Sequence, residues 1–292
     1  MSKTNAIVTA SYAPDFERCK ILCETIDRLV TGYECHYILV AQPDLALFKQ
    51  LEGPKRKIVT DRDLLPWWFY RMPKFLSPNG RRVWVSPLTV PLHGWHVQQI
   101  MRIAVAQYLA EDGLIYCDSD TAFVKPFDVN SIWHGDDLRL WREDDGALTA
   151  KSDHLLWKGH AGRALGILPE NLVDHNYVCS MVTWKRQTVL DMCAHMEKKH
   201  GRPWISVIGA SRKFSECMLY GAYVDVILEG RGHAHSPIQL CPMCWFDPSP
   251  TDEQLATFLA DLAPEQVAIG IQSFIPMSAE KFKKAVFDYA KL

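Results

Sequence analysis

Leu114-Ile115-Tyr116-Cys117-Asp118-Ser119-Asp120 is an apolar run that ends in two carboxylates one residue apart. A short apolar run of this kind is typical of a buried strand. In open α/β sheets, the carboxyl ends of the strands border the crevice in which ligands bind. The stretch therefore predicts a core strand that delivers Asp118 and Asp120 to a ligand-binding crevice.

The sequence around this stretch alternates between strand and helix patterns. Strands are predicted over residues 6–10, 37–40, 58–59, 114–117, 138–141, 177–183 and 267–271, and helices over residues 14–29, 45–51, 94–110, 187–199, 214–228, 252–262 and 278–291. Such alternation favours an α/β fold with a parallel sheet. Loops are predicted over residues 66–91, 146–162 and 230–244. The first of these loops is long and rich in Pro and Trp, so we interpret it as a mobile lid or acceptor wall, with Trp67 and Trp68 expected to stack on a sugar.

Composition limits the kinds of function that the chain can have. Of the 292 residues, 48% are hydrophobic and 23% are charged, which is the mix of an ordinary globular protein. The formal net charge is -2 and no basic run is longer than Lys55-Arg56-Lys57, which argues against a nucleic-acid partner. The nine cysteines are odd in number and scattered among apolar neighbours, so we expect reduced core thiols rather than a disulfide framework.

The apolar segments suggest where the protein works. Residues 1–9 lack the pattern of a secretory signal, and no apolar run has the length of a membrane span. We therefore expect a cytoplasmic protein without a transmembrane segment. A peripheral contact with a membrane is compatible with this expectation.

The two carboxylates indicate a site for a hard divalent cation. Mg²⁺ and Mn²⁺ prefer oxygen ligands, and they commonly bridge one or two carboxylates to the phosphates of a substrate. Because Asp118 and Asp120 follow an apolar strand, we predict that they bind Mn²⁺ or Mg²⁺, which takes up charge on a departing diphosphate.

Three stretches carry a resemblance to known families: Gly94-Trp95-His96-Val97-Gln98-Gln99-Ile100, Asp118-Ser119-Asp120-Thr121 and Phe214-Ser215-Glu216-Cys217-Met218-Leu219-Tyr220-Gly221. These three stretches resemble an uncharacterised bacterial family that is grouped with the glycosyltransferase A-fold (DXD-type) superfamily. The βα start, the helix with Gln-Gln-x-x-Arg and the apolar strand that ends in Asp-x-Asp resemble that superfamily more broadly. The resemblance implies a single Rossmann-like mixed sheet flanked by helices, with a helical C-terminal acceptor part. Residues 1–130 would form the donor-binding half and residues 131–292 the acceptor-binding half of one continuous domain.

The resemblance also implies partners and donor contacts. It predicts a nucleotide-sugar donor, with a UDP-sugar favoured, and a glycan or other hydroxyl acceptor, which would suit bacterial surface glycan synthesis. The donor contacts fall on the end of the first strand, on a residue after the third strand, on an arginine before the carboxylates and on the carboxylate turn: Thr9, Ala10, Ser11, Tyr12, Asp61 (or Asp63), Arg102, Asp118 and Ser119. A strand cap for Thr9 and Ser11 and a surface salt bridge for Arg102 explain these residues equally well.

Glu216 and two histidines are the remaining candidates. Glu216 begins a predicted helix, where it either complements the helix dipole or deprotonates the acceptor hydroxyl; Asp144, Asp145, Asp153 and Asp174 are weaker candidates for the base. His233 or His235 is predicted as a further metal ligand, because several A-fold families supply one from a C-terminal histidine. A structural zinc site of His233, His235, Cys241 and Cys244 is the rival interpretation.

Three other classes of protein compete with the transferase. A haloacid-dehalogenase-like phosphohydrolase also opens its site with Asp-x-Asp, but it expects Thr or Val where this chain has Ala122. A nucleotidyltransferase would carry a Gly-rich basic loop after the first strand, which residues 11–15 do not provide. The third alternative is a non-catalytic module that binds a sugar or a nucleotide.

Overall fold

A computed structural model of the protein describes residues 3–77, 82–144, 152–245, 249–272 and 275–292. The strands are β1 (Asn5–Ala10), β2 (Val30–Thr31), β3 (Cys35–Val40), β4 (Arg56–Thr60), β5 (Tyr70–Arg71), β6 (Val83–Val85), β7 (Leu92–His93), β8 (Gly113–Cys117), β9 (Thr121–Phe123), β10 (Phe127–Asp128), β11 (Trp133–His134), β12 (Asp137–Trp141), β13 (Met181–Lys185), β14 (His233–Ser236), β15 (Met243–Cys244) and β16 (Ala268–Ile271). The α-helices are α1 (Phe16–Leu29), α2 (Leu45–Phe48), α3 (Asp61–Leu64), α4 (Gly94–Tyr108), α5 (Ser152–Leu165), α6 (Arg186–His200), α7 (Trp204–Ile208), α8 (Glu216–Ala222), α9 (Asp252–Ala260) and α10 (Ala279–Ala290).

The main sheet has five strands in the order β13-β8-β1-β3-β4. Strands β8, β1, β3 and β4 run parallel, whereas β13 pairs antiparallel with β8 along one edge. Every residue of β3 and β8 is buried, as expected for central strands of a parallel sheet that is covered on both faces.

The order in which strands are added across the sheet reverses at β1. From β1 the chain proceeds to β3 and β4 on one side, and it then returns to place β8 on the other side of β1. The carboxyl ends of β1 and β8 therefore meet at a topological switch point, which is where open α/β sheets bind ligands.

Helices cover both faces of the sheet because alternate strand residues point in opposite directions. Ala6 and Val8 of β1 lie in the same core cluster as Val97 and Ile100 of α4. Ile7, between them, belongs to a second cluster with Leu22 and Ile26 of α1. Each face of the sheet thus has its own apolar core.

Four smaller sheets accompany the main one in the described residues: β5-β6-β7, β11-β12-β14, β15-β16-β9 and β10-β2. Three loop predictions are therefore wrong in part. Residues 66–91 contain β5 and β6, residues 146–162 contain most of α5, and residues 230–244 contain β14 and β15. The predicted helix over residues 214–228 is α8 followed by a π-helical turn over Tyr223–Ile227.

The prediction of a mixed α/β class is confirmed, although the chain has several sheets rather than a single one. In the described ranges, no helix is long and apolar enough to cross a membrane. All nine cysteines are free thiols, as expected. The division near residue 130 stays a prediction.

Candidate functional site

The turn after β8 is held on both sides by hydrogen bonds to its backbone groups. The Asp118 amide donates to the Ser180 carbonyl over 3.0 Å, and the Thr121 hydroxyl donates to the Asp118 carbonyl over 2.7 Å. Farther along, the Ile271 amide donates to the Asp120 carbonyl over 3.1 Å. These bonds fix the turn, so that Asp118 and Asp120 both line the crevice at the switch point.

A largely buried arginine contacts two carboxylates of the crevice. Arg102 Nη1 is 3.0 Å from Glu216 Oε1 and 3.4 Å from Asp118 Oδ1. Its guanidinium also lies 5.1 Å from the ring centre of Tyr116 and 5.9 Å from that of Trp184. One cation on α4 thereby joins the predicted metal ligand Asp118 to the predicted base Glu216.

Helix α8 begins in the crevice through contacts with its neighbours. The Ser215 side chain accepts a hydrogen bond from the Met218 amide and caps the helix. Gln99 of α4 accepts a hydrogen bond from the Glu216 amide over 3.1 Å. Helix α4 therefore positions Glu216 in two ways. Gln99 holds its backbone amide, and Arg102 holds its carboxylate.

The environment shifts the pKa values of Asp118 and Arg102. Burial raises the pKa of Asp118, Arg102 opposes this rise and Glu216 adds to it. Since the Asp118 side chain is still 38% exposed, a ligand in the crevice can reach it. Burial lowers the pKa of Arg102, but Glu216 and Asp118 outweigh it and the net shift is upward. Arg102 is thus a permanent cation.

The crevice has a volume of about 1010 Å³, which is the size of a small-molecule site. Ala10, Ser11 and Tyr12, which follow β1, line one part of it. Arg82 lies 5.6 Å from the ring centre of Tyr12 and donates to Asp44 over 3.1 Å, which fixes that wall. Ser119 donates to Asp15 over 3.3 Å.

Aromatic side chains line another part of the crevice. Trp95 of α4 and Trp157 of α5 have ring centres 6.0 Å apart, and His154 lies 4.8 Å from Trp157. Trp245 also lines the crevice and is exposed. Rings placed in this way offer flat apolar surfaces to a sugar or a base.

The side chains of the crevice limit the kind of cation that it could hold. Over the described residues, no group of three or more His, Cys, Asp and Glu side chains is placed to hold a metal. Asp118 and Asp120 alone fit an ion that is held by one or two carboxylates and takes its other ligands from water and phosphate. The described residues of the crevice therefore lack the set of protein ligands that a closed site such as a structural zinc centre requires.

A model described as a family of unknown function (DUF6492) matches residues 4–236. The chain belongs to DUF6492. No match was found among curated proteins.

Two of the predicted donor contacts in this DUF6492 member lie outside the crevice. Thr9 is fully buried, and its hydroxyl lies 3.0 Å from Nε2 of His36. Asp61 accepts from the Gln42 amide over 2.7 Å and from Trp84 Nε1 over 3.0 Å. Asp63 instead caps α3 through Thr60. These polar groups serve the fold, because the strand and loop residues near them need partners when buried.

Neither predicted histidine lines the crevice. His233 Nε2 lies 2.7 Å from the Tyr220 hydroxyl, and His235 Nε2 lies 2.7 Å from Asp225. They are not grouped with Asp118, Asp120, Cys241 or Cys244 as metal ligands. Strand β14 places them instead beside β12.

The weaker candidates are also accounted for. Asp144, Asp153 and Asp174 pair with Arg142, Lys213 and Lys158, and Asp145 lies outside the described residues. Trp67 and Trp68 do not line the crevice, and Trp68 packs against the main core.

Several crevice residues were not found from the sequence. Glu143 and Asn176 are an example: they pair through their backbones, and the Asn176 amide nitrogen donates to the Glu143 carboxylate over 3.0 Å. The partners are far apart in the chain, so no local pattern announces them. For Trp95, the sequence did contain a signal, because this residue lies in the motif over residues 94–100.

Proposed function

We propose that the protein is a metal-dependent glycosyltransferase of the A-fold type, which moves a sugar from a nucleoside-diphosphate sugar to an acceptor hydroxyl. The observation that carries the proposal is the position of Asp118-Ser119-Asp120. This turn follows a central parallel strand, borders the switch point and lines a crevice of about 1010 Å³.

The proposed donor site extends from β1 to the carboxylate turn. Ala10, Ser11 and Tyr12 line the crevice on the β1 side, where the Tyr12 ring offers a surface for a nucleobase. In our proposal, the ribose and the diphosphate of the donor extend from Tyr12 to the turn Asp118-Ser119-Asp120. We favour a UDP-sugar as the donor.

Asp118 and Asp120 would hold Mn²⁺ or Mg²⁺ in this proposal. When bound, the cation would stabilise the negative charge that develops on the departing diphosphate. Arg102 would keep Asp118 in position and balance part of the charge of the two carboxylates. We therefore assign Arg102 a positioning role rather than the direct diphosphate contact that the sequence suggested.

Glu216 is the proposed base. Its carboxylate lines the crevice and is fixed by Arg102 at Oε1, so it has the defined position that proton transfer from an acceptor hydroxyl requires. Trp95 and Trp157 are the proposed stacking surface for a sugar, in place of Trp67 and Trp68.

The haloacid-dehalogenase alternative gains no support from the site. Phosphohydrolases of that class carry Thr or Val at the position of Ala122. In this protein the Ala122 side chain is fully buried in β9. A non-catalytic module that binds a sugar or a nucleotide shares the same crevice, and turnover separates it from the transferase.

A thermal-shift panel tests the proposed donor site. We expect UDP or another nucleoside diphosphate to raise the Tm with Mn²⁺ present and to raise it less with EDTA, because a ligand that binds only the folded state stabilises it. Asp120→Asn should abolish the Mn²⁺-dependent part. Asp288→Asn on α10, an equally isosteric change of an exposed carboxylate, serves as the control. An unchanged Mn²⁺-dependent shift in Asp120→Asn would contradict the assignment.

A further inference from the structure

Four large apolar side chains are exposed within ten residues of the chain. Trp67 is 90% exposed and Phe75 is 85% exposed, and Tyr70 and Leu76 are also exposed. We call Trp67, Tyr70, Phe75 and Leu76 the aromatic patch. Such a concentration of exposed apolar groups in one short stretch of chain is typical of a surface that binds a partner.

The aromatic patch rests on a folded support. Phe69 is buried between Trp67 and Tyr70 in the chain, and Trp84 of β6 is buried and bonded to Asp61. The Met72 amide donates to the Val83 carbonyl over 2.8 Å, next to the pairing of β5 with β6. The side chains of the patch are therefore exposed, whereas the nearby side chains of Phe69 and Trp84 are buried.

Positive charge accompanies the aromatic patch in the sequence. Residues 64–90 contain no Asp or Glu, whereas Lys or Arg occurs at positions 71, 74, 81 and 82. Arg82 pairs with Asp44, but the stretch that carries the patch supplies no carboxylate of its own. This local excess contrasts with a net charge of -2 for the whole chain.

We propose that the aromatic patch docks the protein on an anionic lipid bilayer. Trp and Tyr favour the interface between water and lipid, and Phe and Leu insert among the acyl chains. Each Lys or Arg held near an anionic bilayer adds about 1 kcal/mol of attraction. An apolar cluster interleaved with basic residues and free of acidic ones fits this partner better than a protein interface, whose buried centre is depleted of charge.

The patch adjoins the crevice through the small sheet. Arg82, Trp84 and His93, from the same β5-β6-β7 region, line the crevice, and β7 continues directly into α4. A docked molecule would therefore hold its crevice close to the bilayer.

Vesicle co-sedimentation tests this proposal without any nucleotide. The probes are vesicles of phosphatidylcholine alone and of phosphatidylcholine mixed with phosphatidylglycerol, at low and high salt. We expect the wild-type protein to bind the anionic vesicles and to bind them less at high salt, because salt screens the attraction. Trp67→Ser combined with Phe75→Ser should weaken that binding by about tenfold or more, since two apolar groups no longer insert.

The control is Leu168→Ser combined with Tyr108→Ser, which removes two exposed apolar side chains outside the patch. It should bind anionic vesicles as the wild type does. Three results would overturn the proposal: no binding of the wild type to anionic vesicles, equal binding of the two double variants, or a dimer in sedimentation velocity that only the patch variant loses. A Tm of the patch variant close to that of the wild type, measured without nucleotide, would show that the variant is folded, and this control does not depend on the proposed function.

Discussion

At the scale of single residues, the centre of the site is an arginine between two carboxylates. Arg102 Nη1 lies within 3.4 Å of Asp118 and 3.0 Å of Glu216, so a single positive charge faces two negative ones. Removing one partner of such a buried group leaves an uncompensated charge, which is strongly destabilising. Substitutions here must therefore be tested for folding as well as for function.

Glu216→Gln separates the proposed base from the donor site. The change keeps the shape of the side chain but removes its ability to accept a proton. We expect donor affinity near that of the wild type and donor hydrolysis lowered by roughly 10²- to 10⁴-fold, the usual contribution of a positioned base. The measurements are nucleotide binding and the release of nucleoside diphosphate, with urea unfolding as the control for the Arg102 ion pair. If donor binding is lost together with turnover, Glu216 belongs to the donor site or the fold.

His160 gives the fold a dependence on pH. It is buried in α5, its Nε2 lies 3.1 Å from the Ile208 carbonyl, and burial followed by nearby Arg163 lowers its pKa to about 4. The folded state therefore disfavours the protonated ring, and the stability from this site is complete above about pH 6.5, the ordinary histidine pKa. As the pH falls toward 4, the unfolded state binds a proton first and stability is lost.

Comparison with His160→Gln isolates this contribution, because Gln can still donate to the Ile208 carbonyl. We expect the wild type to lose up to about 1.4 kcal/mol of unfolding free energy per pH unit relative to the variant between pH 6.5 and 4. Urea unfolding at several pH values measures it. Parallel curves for the two proteins would show that His160 does not titrate in this range.

Sequence predicted those site residues whose position follows from their own strand. Asp118, Asp120 and Tyr12 come directly after apolar strands, so the strand ends deliver them to the crevice. Sequence predicted donor contacts for both Thr9 and Ser11, but only Ser11 lines the crevice. Thr9 lies inside β1, and its contact with His36 depends on the pairing of β1 with β3. His233 and His235 form contacts with Tyr220 and Asp225, which no spacing rule relates to them.

At the scale of elements, helices α4 and α5 bring Trp95 and Trp157 together in the crevice wall. We expect Trp95→Ala and Trp157→Ala each to weaken binding of a UDP-sugar by about 2- to 10-fold, the value of an aromatic contact, and to leave binding of UDP unchanged. Calorimetric titration in the presence of Mn²⁺ measures both affinities. Trp67→Ala, outside the crevice, is the matched control. Equal losses for UDP and UDP-sugar would assign these rings to the nucleotide instead.

The elements were predicted where a strong periodic pattern decides them. Helix α1 and strand β8 match their predictions closely, because α1 has an apolar stripe at helical spacing and β8 is a short apolar run. Helix α5 was missed because Gly159 and Gly162 interrupt a weakly amphipathic pattern. Its Gly162 lies against Leu172, where a Cβ atom would meet Cδ1 at 2.6 Å, so tertiary packing accounts for the residue that weakens the helical signal.

At the scale of the whole molecule, the order of the strands creates the site. The crevice exists because β8 returns beside β1 after β3 and β4 have formed on the other side. Alternating strands and helices predicted the parallel arrangement, but β13 joins β8 from much later in the chain. The pairings of β10 with β2, β12 with β14 and β16 with β9 likewise join strands that are far apart in the sequence. Local sequence carries little information on such pairings.

The central claim is that Asp118 and Asp120 support metal-dependent transfer of a sugar from a nucleotide donor. Incubation with UDP-glucose, UDP-galactose, UDP-N-acetylglucosamine or GDP-mannose, with water as the only acceptor, tests it most directly. We predict slow release of nucleoside diphosphate from at least one donor that requires Mn²⁺ or Mg²⁺, stops with EDTA, falls about 10²-fold or more in Asp120→Asn and persists in Asp288→Asn. Tight, Mn²⁺-dependent nucleotide binding without turnover of any donor, even when hydroxyl acceptors are added, would contradict the claim and identify a binding module.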